Sequence, residues 1–272
     1  MKLYDTIPHY LLKYLRRKVY PEFFSSHSLP LPECEKDLEK SNKIIYNCLA
    51  QDGPCMIARL GATEMGVVGN YIGIKEQKHS IIKYIQGEGS EWWWNDHSIE
   101  QLQRWSGVWP CNHDIATRFS ELTIEDAKQV DVLGSWLTGE NFLQDELKDA
   151  KKVQLFNLEP FFAKNPWTRI LKGKKVLVVH PFAETIQKQF MKREKIFANP
   201  NLLPECNLLT FRAIQSLGGV KTTLIGLLRS SIWKMKSTRL ISTSPSLGVE
   251  PMDFHSPHIS RGPVARPCIL AA

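Results

Sequence analysis

One segment limits the fold more than any other. Lys174-Lys175-Val176-Leu177-Val178-Val179-His180-Pro181-Phe182 contains a continuous valine-rich apolar run. Such a run suits a parallel strand covered on both faces, because a strand with one wet face alternates apolar and polar residues. Three shorter segments share the character: Cys55–Gly61, Asp131–Leu137 and Val153–Leu158. Stretches of helical period separate them, over 35–51 and within 74–128. Strands alternating with helices predict an α/β fold, a mainly parallel sheet flanked by helices. No internal repeat interrupts the pattern.

The ends of the chain differ from this middle. After Pro8, residues 9–20 form a basic amphipathic stretch in which Leu11, Tyr14, Leu15 and Val19 recur at helical spacing, with Lys13, Arg16 and Arg17 between them. Two readings stand: peripheral contact with an anionic membrane surface, or a helix packed on the domain with a solvated Lys/Arg face. The second is preferred. Pro21 and the Ser25–Pro32 segment read as a linker, so the expected organisation is 1–34 helix and linker, 35–220 α/β domain, and 221–272 an irregular, poorly ordered tail.

The tail has a charge signature of its own. Of the net +7, residues 221–272 carry +5, from seven Lys/Arg (Lys221, Arg229, Lys234, Lys236, Arg239, Arg261, Arg266) against Glu250 and Asp253. Residues 1–220 therefore carry only +2, and a nucleic-acid partner is not expected. Shifting plausible codons of the tail by one nucleotide converts Leu247–Phe254 into Ile-Gly-Cys-Gly-Ala-Tyr-Gly-Phe, a strand followed by a glycine-rich turn. The expectation is a frameshifted C-terminus, with the native last strand and turn lost and activity impaired. Sequencing the parent DNA near codons 220–224 tests it.

No run of about 18 apolar residues is present, and the N-terminus lacks a signal-peptide core, which points to a cytoplasmic protein, peripheral at most to the inner face of the membrane. Six scattered cysteines without a CxxC pair read as reduced thiols.

Polar groups collect where the expected strands end, the usual place for ligands in open α/β sheets. Arg59-Leu60-Gly61-Ala62-Thr63-Glu64 offers a guanidinium for phosphate, a glycine for close approach, Thr63, and a carboxylate for proton transfer or a metal. The structural alternative is a helix start in which Glu64 complements the dipole. Near the end of the second strand stands Trp136, followed by Thr138, Glu140 and Asn141, with Thr138 as a helix cap; the third strand leads to Glu159; the fourth ends near His180, with Glu184 beyond it. Catalytic roles are expected for Glu64, His180 and Glu184, and substrate binding for Arg59, Gly61, Thr63, Trp136, Glu140, Asn141 and Glu159. Trp92-Trp93-Trp94 reads as core or interface before it reads as a sugar platform.

Met56-Ile57-Ala58-Arg59-Leu60-Gly61-Ala62-Thr63-Glu64 resembles the Arg-Phe-Gly-Asp-Gly-Glu strand and turn of the GT-D glycosyltransferases, and the order of later strands is similar over roughly residues 35–220. The chain is also similar to proteins of bacterial capsule and exopolysaccharide gene clusters. The resemblance implies a Rossmann-like fold, a nucleotide-sugar donor, and hexosyl transfer to a glycan or lipid-linked acceptor. It associates paired acids with a divalent metal, Mn or Mg. Here Ala62 replaces the first acid and only Glu64 matches, which leaves metal dependence open. The rival readings are another polysaccharide-modifying transferase, such as a pyruvyl transferase, and a non-catalytic nucleotide-binding protein.

Overall fold

The computed structural model describes residues 8–24, 29–51, 53–76, 79–213 and the backbone of Ile269–Leu270. The described residues form a mixed α/β protein with two small parallel sheets. It opens with α1 (His9–Tyr14), which runs through a π-helical turn (Leu15–Val19) into α2 (Tyr20–Phe23). An extended stretch leads to α3 (Leu38–Ala50), started by the Asp37 carboxylate accepting from the Lys40 amide at 2.8 Å. Next come β1 (Met56–Arg59), α4 (Ala62–Lys75), α5 (Ile81–Gln86), α6 (Asp96–Trp105), α7 (His113–Ala127) and β2 (Val132–Ser135). Ser80 and Asn112 cap α5 and α7 through their side-chain oxygens, and Gly87 ends α5 at φ 95°, a conformation that suits glycine.

A 3₁₀ turn (Thr138–Leu143) precedes β3 (Lys151–Gln154), and three more (Leu155–Leu158, Pro160–Phe162, Trp167–Leu171) lead to β4 (Lys175–His180). Then follow α8 (Ala183–Phe190), α9 (Arg193–Ile196), β5 (Asn207–Arg212) and the two-residue β6 (Ile269–Leu270).

The first sheet has the order β3-β2-β1-β6, all parallel, with Ile57 opposite Val132 and Ala58 opposite Leu133. This register explains its core. Side chains alternate across a strand, so Ala58 and Leu133 share one face with Met65 and Val68 of α4 and Ala127 of α7. Ile57, Val132 and Val153 share the other with Ile45 and Cys48 of α3 and with Trp167. α4 is buried on two sides: Val68 meets the sheet, while Val67 meets Ile99, Leu102 and Ala116 of α6 and α7. Each fully buried valine contributes about 1.5–3 kcal/mol. Outside β3, Glu35 forms a lone parallel bridge to Val153.

Three expectations need correction. The valine-rich run does not join the main sheet: β4 pairs with β5 in a separate two-stranded sheet, and from Val176 to His180 it is half-buried rather than covered on both faces. Local apolarity identified a strand but carried no information about its partner. The third strand is shorter than expected and stops at Gln154, where Leu155–Leu158 turns into 3₁₀ helix. The cysteines are not all free thiols: Cys48 and Cys55 form a disulfide, with Cα atoms 6.1 Å apart. The reversal between α3 and β1 brings these two residues together, although no CxxC spacing marks them. The boundary at 220 and the tail beyond it, with its frameshift reading, lie outside the described residues apart from Ile269–Leu270.

Candidate functional site

β1 delivers its last residue, Arg59, exposed at the carboxyl end of the sheet, and the chain enters α4 through Leu60 and Gly61. Gly61 is the N-cap and supplies no side-chain acceptor, so the first amides of α4, those of Ala62 and Thr63, point outward from a positive helix end. Glu64 occupies the third helical position. A methyl group built on Gly61 would overlap its carboxylate, so that carboxylate folds back against the glycine. The arrangement has two chemical uses. It is a helix start whose dipole the carboxylate complements without a cap hydrogen bond, and it is an anion site bordered by that carboxylate.

β2, alongside, brings Trp136 to the same corner. Its indole Nε1 donates to the Leu60 carbonyl at 2.9 Å, tying the ends of the two strands together, while the side chain remains 41% exposed. The ring is therefore fixed and still presents surface to a ligand, beside Arg59, whose strand partner is Gly134.

Glu140 holds this corner in place. Fully buried, its carboxylate accepts from the Ser135 hydroxyl and from the Trp136 and Leu137 amides, the latter two at 2.9 Å. Three donors leave it little capacity for substrate, and it fixes the backbone that carries Trp136. Asn141 is likewise engaged: its Nδ2 donates to the Pro30 carbonyl at 2.7 Å and to the Thr138 carbonyl at 3.0 Å. Thr138 makes no cap; the 3₁₀ turn is closed from within by Glu140.

The remaining expected residues lie on other elements. Glu159 is exposed between two 3₁₀ turns. His180 ends β4 in the second sheet, where its Nδ1 accepts from the Phe182 amide at 3.1 Å, which places the proton of the neutral ring on Nε2. Glu184 is exposed in the first turn of α8. Among the described residues no hydrogen bond or ion pair connects these three to the β1–β2 corner. The structure thus gathers Arg59, Gly61, Thr63, Glu64 and Trp136, supports them with Glu140 and Asn141, and places His180 at the end of a strand of the other sheet and Glu184 in the helix that follows it.

Ser135 and Leu60, the two partners that sequence reasoning missed, act through a buried hydroxyl and a backbone carbonyl, and neither leaves a compositional trace. Trp92 and Trp93 pack with Tyr84, and Trp94 stacks on His113, so this cluster serves packing.

For a divalent ion the corner offers one carboxylate, Glu64. That set fits Mg or Mn only if substrate phosphate oxygens complete it. Cys48, Cys55 and Asp131 also bring ligand atoms within 4.8 Å of one another, but the two sulfurs are joined and the group lies at the opposite end of β1. A shallow groove of about 550 Å³ lies beside β3, bordered by Glu33, Glu35, Lys148 and Lys152. It has no aromatic wall and contains none of the corner residues. No family model, curated protein or solved structure matches the chain.

Proposed function

We propose that the chain is a glycosyltransferase with a Rossmann-like core, moving a sugar from a nucleotide-sugar to a glycan or lipid-linked acceptor in surface polysaccharide or glycoconjugate synthesis at the cytoplasmic side. One observation carries this reading: an exposed guanidinium, an uncapped helix start and an anchored, half-open indole share the carboxyl end of two adjacent parallel strands. Arg59 and the first amides of α4 suit a diphosphate, and the indole face suits a base or a sugar ring. Among the described residues, Glu64 is the carboxylate at the corner that is not consumed by structural donors. It is the candidate for accepting the acceptor's proton, or for holding a divalent ion that would neutralise charge on the leaving diphosphate.

His180 ends a strand of the other sheet and Glu184 lies in the helix that follows, and Ala62 replaces an acid. These two facts favour one second reading, a nucleotide-binding protein without turnover.

The test is thermal melting of the chain against a panel of nucleotide-sugars, with phosphoenolpyruvate included to detect a pyruvyl transferase. At a hundredfold excess over Kd, a ligand that binds only the folded state adds about 2.7 kcal/mol, a rise of roughly 5–10 °C for a domain this size. Arg59→Ala should abolish the rise. Glu64→Ala should keep the rise and remove transfer of labelled sugar. Stabilisation without transfer selects the second reading, and no stabilisation by any nucleotide-sugar refutes the site.

A further inference from the structure

Part of the basic charge of the N-terminal helix, Lys13 and Arg16, turns toward the protein. His9 stacks on Trp93 with ring centroids 4.1 Å apart, and Lys13 lies 5.8 Å over the same ring and 3.6 Å from Glu91. The Arg16 guanidinium covers Tyr84 at 4.6 Å and donates to the Gly89 carbonyl at 3.0 Å. Leu12 is fully buried between them. Burial of Tyr84, reinforced by Glu91 and opposed by Arg16, raises its pKa to about 12, so the phenol beneath the guanidinium stays neutral. Burial, followed by Lys13, lowers the pKa of His9 despite Glu91.

The expectation of a helix docked with a solvated Lys/Arg face is therefore only half right. Docking is seen, but the face turned to solvent carries Tyr10, Leu11 and Tyr14 with Arg17 and Lys18, and it continues into Phe23 and Phe24. Tyr10, Phe23 and Phe24 are 76%, 74% and 60% exposed. No hydrogen bond or ion pair engages Arg17 or Lys18 among the described residues. α5, packed beside this helix, adds exposed Ile82 and Lys83.

We propose that this face is a docking surface for an anionic phospholipid bilayer, with the helix lying in the plane of the interface. The chemistry matches on both counts. Tyrosine and phenylalanine are suited to the boundary between headgroups and acyl chains. Arg17 and Lys18 sit among them with free charge and long stems, placed to reach lipid phosphates. A second copy of the chain fits poorly, because Glu22 is the only acid along residues 9–24 and an isologous contact would bring the basic groups of two copies together. The surface is independent of the nucleotide-sugar reading and stands or falls separately.

Flotation of the full chain with vesicles tests it. Vesicles of phosphatidylcholine alone should capture little protein. Vesicles containing about a third phosphatidylglycerol should capture most of it at low salt and much less at high salt. Arg17→Glu with Lys18→Glu should weaken capture about 25-fold or more, at about fivefold per basic residue. Tyr10→Ser with Phe23→Ser should weaken it at least about tenfold at any salt. All four positions are exposed, and an unchanged circular dichroism spectrum confirms folding; the charge pair decides the matter if the aromatic pair fails to fold. Equal capture by neutral vesicles, no capture by anionic ones, or a dimer in solution that the aromatic pair converts to monomer would each overturn the proposal.

Discussion

Glu140 shows how a polar side chain at a strand end can serve structure without touching substrate. Its carboxylate is fully buried, and every hydrogen bond it accepts comes from the turn that carries Trp136. Glu140→Gln replaces one acceptor oxygen by an amide donor facing existing donors. Hydrogen bonds to a charged group contribute about 1.5–3 kcal/mol, so the variant should lose about 2–3 kcal/mol in urea unfolding at unchanged m-value. The position of Glu140 beyond the second strand was legible in the sequence. Its use was not, because bonds to amides three and four residues back depend on a turn geometry that local composition does not encode. Arg59, Gly61 and Glu64 were more legible, since a strand that runs directly into a helix fixes where its last and first residues lie. Asn141 fell between these cases: its Thr138 partner is local, but its Pro30 partner lies 111 residues away.

Among the elements, the link between α3 and β1 carries the clearest stability term. The Cys48–Cys55 bridge closes a loop with a sequence separation of seven. Chain entropy gives a cross-link of that size about 2–3 kcal/mol. Cys48→Ser with Cys55→Ser should lower unfolding stability by that amount, and adding reductant should affect the parent but not the variant. Both cysteines are buried against Ile45, Ile57 and Val132, so part of the loss will come from packing. The helices within 35–51 and 74–128 were readable from periodicity, whereas α8 and α9 were not placed, and the Asp37, Ser80 and Asn112 caps went unread. Strand ends were less readable. Leu155–Leu158 is as apolar as the strand before it, and only the tertiary course of the chain decides that it coils under Gly134.

At the level of the whole molecule, the two sheets differ in cover. β1 and β2 are packed on both faces, whereas β4 and β5 are half-buried or exposed along their length. Local opening is easiest where little apolar surface is lost to water. Amides of β1 and β2 should exchange more slowly than those of β4 and β5, by roughly two orders of magnitude or more, as hydrogen exchange followed by mass spectrometry can measure. Equal protection would mean that the second sheet opens only with global unfolding. This division is the largest feature that the sequence concealed. A valine-rich run identifies a strand, but strand pairing is decided by contacts distant in the chain, and so His180 was expected in one sheet with Arg59 and ends a strand of the other.

The extended stretch before α3 has a consequence for how the molecule behaves among its neighbours. Glu35 donates its amide to the Lys152 carbonyl at 3.0 Å and accepts from the Gln154 amide at 2.9 Å, while Asn157 holds the adjoining Lys36 carbonyl at 3.1 Å. A bare border strand is an invitation to stack with a foreign chain. Here one residue of the protein's own backbone answers the outermost strand first, and the charged groups flanking it discourage any newcomer from extending the ladder.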